Sequence, residues 1–229
     1  QCLIIIFCLI PFLFGFLIPV GRLFTWMLRS NVSLNGFNLV MITFNTVTIS
    51  LVSSIIIVVL AFFINFSKNY FNNDACKKIS HLAILGYSMP GAIIAIGILK
   101  LSSSINGLIP LMLIGSIFGL LLSYIVRFFA VAWQPIDSSM EKLGENINQA
   151  SRTLSVKPLK SLVNINFPIL KKPLLVASLI VFIDVSKELP LTLILRPFNF
   201  DTLATLTYDL ITQSQFFQSS IPSLLIILI

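Results

Sequence analysis

The chain has 229 residues, 57% of them hydrophobic and only 10% charged, with a mean hydropathy of +1.00. A soluble domain carries about 25% charged residues, so the composition excludes an ordinary water-soluble globular protein and points to an integral membrane protein. The net charge of +7 needs no nucleic acid to explain it, because the cytoplasmic loops of membrane proteins are enriched in Lys and Arg.

Crossing the hydrocarbon takes roughly 20 mostly apolar residues as a helix, and in lipid the backbone groups of each run have to pair within it. About six runs meet this description: 2–20, 38–64, 82–100, 107–131, 169–195 and 220–229. The chain starts "QCLIIIFCLI" without Met or a basic leader and stops after "PSLLIILI", so residues 1–229 are expected to be one transmembrane domain cut from a longer polypeptide. With the start placed in the cytoplasm, the inner loops hold ten basic residues, Lys68, Lys77, Lys78, Arg127, Lys142, Arg152, Lys157, Lys160, Lys171 and Lys172. The outer loops hold four, Arg22, Arg29, Lys100 and Arg196, which favours that orientation. Cys2, Cys8 and Cys76 show no paired spacing, and with His81 as the single histidine a His/Cys metal site is not expected.

In the second run Thr43, Thr46, Ser50 and Ser53 share one helix face, either lining a pathway or bonding to their own helix or a neighbour. In the third, Pro90 with Gly91 is expected to break or bend the helix, and Gly91 with Ala95 to allow close backbone approach. Gly115 and Gly119 carry the same small-residue spacing in the fourth.

Between the fourth and fifth runs, residues 132–168 are polar and helix-like, too long for a passive connection. Leu143, Ile147, Ala150 and Leu154 recur at helical spacing, while Glu145, Asn148, Gln149 and Arg152 point elsewhere. Pro158 suits the first turn of a second helix, with Leu159, Leu162 and Val163 as its apolar face. This helix, turn and helix is either a docking lever or an interfacial pair lying on lipid head groups.

The fifth run holds "VFIDVSKELPLTL", with Asp184, Lys187 and Glu188 inside an apolar stretch. Charges in a span are costly, and they mark a functional site or a neutralised brace. Asp184 and Glu188, four apart, are expected to share a helix face, with Lys187 placed to pair with Asp184 and Pro190 to kink or end the helix. No phosphate-binding Gly-rich loop and no metal-ligand cluster occurs, so no covalent catalysis is expected and the chain is not read as an enzyme.

The stretch from Gln149 to Leu170, "QASRTLSVKPLKSLVNINFPIL", resembles the cytoplasmic coupling loop of ABC importer permeases. That pattern is Glu-Ala-Ala, three residues, Gly, nine residues, Ile, one residue, Leu-Pro. Gln149 falls at the Glu, Ala150 and Ser151 at the two Ala, Ser155 at the Gly, Ile165 at the Ile, and Phe167 with Pro168 at the Leu-Pro. The spacing is complete, while the Glu, one Ala, the Gly and the Leu are replaced. "YIVRFFAVA" (124–132), "DVSKELPLTLILRPFNFDTLAT" (184–205) and "GYSMPGAIIAIGIL" (86–99) are similar to iron(III)-type permeases of binding-protein-dependent ABC transporters, whose C-terminal six-span half this chain resembles.

The resemblance implies an all-α type I permease in the cell inner (cytoplasmic) membrane, forming a path for ferric iron and binding no cofactor itself. Its implied partners are an ABC ATPase that holds the ATP, a periplasmic or surface solute-binding protein, a second permease half or copy, and membrane lipid, with no nucleic acid. Leu143, Ile147, Gln149, Ala150, Ser151, Leu154, Ser155, Ile165 and Pro168 are then the coupling residues, and Asp184, Lys187, Glu188 and Pro190 line the pathway or gate. If Ser155 ends its helix with positive φ, it does so at a strain cost that Gly would avoid. Thiamine, sulfate, molybdate or polyamine permeases share the coupling loop. A gradient-driven transporter with Asp184 and Glu188 carrying the proton is the reading from another class.

Overall fold

The computed structural model describes residues 7, 9–29, 38–71, 78, 84–105, 115–143 and 145–229, and every regular element among them is helical. Cys2, Cys8, Cys76, Lys77 and His81 lie outside the described residues, as do the beginnings of the runs expected from 2, 82 and 107. In chain order the helices are α1 (Leu9–Arg29, with a π turn at Leu13–Leu17), α2 (Leu39–Phe71), α3 (Gly91–Ile105), α4 (Ile117–Leu143) and α5 (Glu145–Thr153). There follow α6, a rod made of Pro158–Ser161, a π turn Leu162–Asn166 and Phe167–Ser186, then α7 (Pro190–Leu195), α8 (Leu203–Thr212) and α9 (Phe216–Leu228).

Helices α1, α2 and α4 are long and apolar enough to cross a membrane, and α9 and most of α3 form shorter apolar helices. The chain is an all-α membrane protein. Helix α2 shows why: it has no Gly or Pro and is rich in Ile, Val and Thr, which favour strands where partner strands or water can pair the backbone. In lipid only the helix pairs every N–H and C=O within the segment. Asn38 starts it, its Oδ1 accepting the Met41 N–H at 3.2 Å. Its 33 residues extend about 50 Å, beyond the roughly 30 Å of hydrocarbon.

Two expectations change here. The polar connection does not begin at 132, because α4 runs on to Leu143. Trp133, Ile136 and Met140 recur at helical spacing and are buried, so the segment packs as a continuation of the helix. Gly115 does not pair with Gly119 on a helix face: it stands before α4 in the left-handed region at φ +65°, and Ser116 caps the helix by accepting the Gly119 N–H.

The chain falls into two compact units, Gln1–Val47 with Phe200–Ile229, and Thr48–Asn199, the division falling within α2. In the first, Ile42, Leu203, Leu206 and Leu210 form a buried core, and Trp26 lies against Phe216 and Phe217. Thr202 and Thr205 cap α8 reciprocally. Another first-turn donor, Leu203 N–H, reaches Thr46 Oγ1 at 2.9 Å, while the Thr46 hydroxyl donates to Ile42 O at 2.9 Å. Thr46 of the hydroxyl stripe is therefore a structural bridge. In the second unit Ser50 and Ser53 are buried, and their hydroxyls form no hydrogen bond among the described residues.

Replacing Thr46 by Val removes the acceptor of a buried N–H and is expected to cost about 1–3 kcal/mol, read as a lower thermal midpoint in detergent. Thr46→Ser keeps the oxygen and should stay close to the parent.

Candidate functional site

Two clusters of the second unit contain the residues singled out from the sequence. The first is the turn between α5 and α6. Helix α5 ends at Thr153, and Ser155 adopts φ +54°. The Val156 N–H donates to Ser151 O at 3.1 Å and the Ser155 N–H to Arg152 O at 3.0 Å. These two bonds are the Schellman arrangement, which satisfies carbonyls that the last helical turn leaves open. The expected positive φ at Ser155 is thus present. Pro158 then opens α6, as its missing N–H allows.

What holds this turn closed is polar. Asn148 and Ser151 on α5 are buried, and so are Ser161 and Asn166 on α6. Ser151 Oγ donates to Ser161 Oγ at 2.9 Å, and Asn166 Nδ2 reaches Ser161 O at 3.2 Å and Asn148 Oδ1 at 3.4 Å. The apolar side is turned outward: Leu154 is 76% exposed and Leu159 72%, with Ala150 also exposed. Ile147 and Ile165 are half-buried, Gln149 and Pro168 are exposed, and Leu143 belongs to the last turn of α4. Of the expected second apolar face, Leu159 and Val163 are exposed while Leu162 is buried. Pro168 also explains the π turn. It has no N–H and crowds the carbonyl four residues back, and the turn closed by Phe167 N–H on Leu162 O widens the helix immediately before it.

The turn is tied to α2 and, through α2, to α4. Tyr70 donates to Val156 O at 3.3 Å, and the Arg152 guanidinium lies 5.5 Å from its ring centroid. Two residues earlier on α2, Lys68 pairs with Asp137 at 2.8 Å, and Trp133 Nε1 donates to the same carboxylate at 3.1 Å.

The second cluster surrounds Glu188. The fifth run is not one helix to 195: α6 stops at Ser186, and Pro190 begins α7 at its first position instead of ending the helix before it. Asp184 and Glu188 therefore do not share a helix face. The reason lies in Glu188, whose Oε1 accepts the Leu191 N–H at 3.3 Å, an orphan donor of the first turn of α7. A carboxylate at a helix N-terminus is also favoured by the dipole.

Glu188 is 7% exposed, and its Oε2 lies 3.4 Å from Nε of Arg127 on α4. Arg127, expected among the loop charges, lies inside α4, and its partner of opposite charge among the described residues is Glu188. The two approach as ions without a hydrogen bond, and Nε and Nη1 of Arg127 are buried with no hydrogen-bond partner among the described residues. Thr192 donates to Glu188 O at 2.8 Å, so its single proton is used and Tyr124 Oη must be the donor in the 2.5 Å contact with Thr192 Oγ1.

Gly91 completes this cluster. The chain does break at Pro90, after a 3₁₀ turn at Leu85–Ser88 and an extended Met89, and α3 starts at Gly91. A Cβ at Gly91 would overlap Arg127 Nη1 and stand 2.9 Å from Glu188 Oε1. The glycine serves the ion pair as much as any helix contact. Gly86 has a similar duty, since its Cβ would collide with the Val126 carbonyl. Asp184 holds Lys187 at 2.8 Å.

Tyr124, Thr192, Ser161 and Asn166 carry no expectation from the sequence, while Arg127 is expected there only as a loop charge and Asn148 only as pointing away from the apolar face. A lone Arg within "YIVRFFAVA" is the one that could have been found, because a charge in an apolar run calls for a buried partner.

Ser155→Gly removes a left-handed penalty of about 1–2 kcal/mol against an unfolded-state entropy cost of about 0.5–1 kcal/mol, so a small net rise in thermal midpoint is expected. Gly91→Ala overpacks the ion pair and should destabilise by about 1–3 kcal/mol, with the loss reduced when Arg127 is also shortened to Lys.

Comparison with protein-family models finds no match, and comparison with curated proteins finds none either.

Proposed function

We propose that this chain is the transmembrane permease of an ATP-driven ABC importer of the inner membrane, with ferric iron as its solute and with ATP bound and hydrolysed by a separate ATPase chain. The observation that carries the proposal is the turn between α5 and α6. Its polar residues face each other, and Ala150, Leu154 and Leu159 face outward. A lever that must enter a groove on another protein needs this inside-out arrangement, since an apolar interior would leave nothing apolar to dock. Continuity of α6 from Pro158 to Ser186 would let motion of the turn travel along a span as a rigid body.

The match of Gln149, Ala150, Ser151, Ser155, Ile165 and Pro168 to the coupling pattern adds the partner class. On this reading the loop 143–168 is cytoplasmic, the spans are six, and a solute-binding protein and a second permease half complete the assembly. Iron follows from the resemblance over 184–205 and not from ligand chemistry: among the described residues no group of three His, Cys, Asp or Glu is placed to hold a metal. Asp184 and Glu188 each face a basic group, which suits a gate better than a site carrying a coupling proton.

The test is co-purification with an ABC ATPase expressed together with this chain. Leu154→Asp, on a 76% exposed side chain, is expected to abolish association while leaving the folded permease in the membrane. Undiminished association, or uptake by ATPase-free proteoliposomes, would reject the proposal.

A further inference from the structure

A cavity of about 430 Å³ opens between α4, α6 and the 3₁₀ turn, lined by Tyr87, Val131, Gln134, Pro135, Ser138 and Asp184 among others. Its polar groups all bear oxygen. The side chains of Tyr87, Gln134 and Ser138 form no hydrogen bond among the described residues. Val131 lines the cavity beside Pro135, which inside α4 has no N–H to offer the Val131 carbonyl one turn back. Arg127, Val131, Gln134 and Ser138 follow one another at steps of four, three and four, so the cavity continues the same stripe of α4 that carries the buried ion pair.

One carboxylate enters this set, Asp184, and it is already occupied by the Lys187 ammonium at 2.8 Å. The two ion pairs of the site differ in one respect that matters. Arg127 is enclosed, with Gly91 and Glu188 against it. Lys187 is 59% exposed and stands in the break between α6 and α7, where no side chain among the described residues encloses its ammonium as Gly91 and Glu188 enclose Arg127.

We propose that the cavity is a transit site for a metal cation that prefers oxygen ligands, and that Lys187 is a tethered occupant which must leave Asp184 before the cation binds. The proposal rests on the permease reading and adds the site and its regulation. Carboxylate, amide and hydroxyl oxygens from Asp184, Gln134, Ser138 and Tyr87 form a hard donor set. A single carboxylate among neutral oxygens binds weakly, as passage requires: favourable enough to enter and weak enough to release. The tether keeps the site closed to abundant cations until the break between α6 and α7 moves.

The test uses the purified full chain in nanodiscs of zwitterionic lipid with no ATPase present, titrated with terbium(III) and followed by luminescence sensitised through Tyr87. Lys187→Gln is expected to bind up to about fivefold more tightly than the parent, the factor that an exposed ion pair is worth as a competitor. Adding Asp184→Asn to that variant should abolish the signal, and adding Gln134→Leu should weaken it. Equal affinity in the parent and Lys187→Gln, or a signal that survives Asp184→Asn, would overturn the proposal. Lys187 is exposed, so its replacement leaves folding intact, with an unchanged thermal midpoint as the check. Because no ATPase takes part, failure here leaves the docking of Leu154 untouched, and loss of ATPase association leaves the cation site untouched.

Discussion

The contact between Arg127 and Glu188 allows a helix to be interrupted inside an apolar chain. Ending α6 at Ser186 leaves carbonyls open, and starting α7 at Pro190 leaves N–H groups open, in surroundings that offer little water to satisfy them. Glu188 caps one of those donors with its carboxylate and accepts Thr192 on its carbonyl. A buried carboxylate is itself unfavourable without a counter-charge, and Arg127 supplies it. The geometry around the pair follows: Gly91 has no side chain because the guanidinium fills that space, α3 starts where it does because Pro90 precedes that glycine, and Tyr124 holds Thr192 from α4.

The same rule, that open backbone groups need a local partner, organises the turn between α5 and α6. Ser155 takes a left-handed conformation so that two backbone bonds can close the end of α5. The buried side of the turn is then lined by Asn148, Ser151, Ser161 and Asn166, whose bonds are directional and fix one geometry. Apolar packing there would have been less specific and would have removed Leu154 and Leu159 from the surface. Tyr70, Arg152, Lys68 and Asp137 extend the polar contacts to α2 and α4, so the turn is braced against the ends of spans and does not hang from one of them.

Much of this was legible in the residues. Long runs of Ile, Val, Leu and Phe with few charges leave a membrane helix as the only way to pair the backbone, and α1, α2 and α4 follow from that. Pro90, Pro158 and the position of Ser155 announced local geometry correctly, because proline and left-handed residues act on their own backbone. Pro190 was expected to kink or end the helix; the helix is interrupted just before it and Pro190 begins the next one, since a missing N–H is compatible with an end or a start and the choice depended on Glu188 capping from outside. The extension of α4 past residue 131 was missed because Trp133, Ile136 and Met140 show their packing only when partners surround them.

Composition and periodicity by themselves determined the class of protein, the helical nature of its elements, the amphipathic helix after α4 and the presence of charges that lipid would not tolerate unpaired. Those properties depend on each residue and its near neighbours along the chain. Only the tertiary structure decided which charges meet. Lys187 three residues from Asp184 was readable as a local pair, while Arg127 and Glu188 are 61 positions apart and come together because α3, α4 and the break after α6 converge on one glycine. The inward turn of Asn148 and Ser151 was decided in the same way: helical spacing says which residues share a face, and contact with Ser161 and Asn166 says which face is buried.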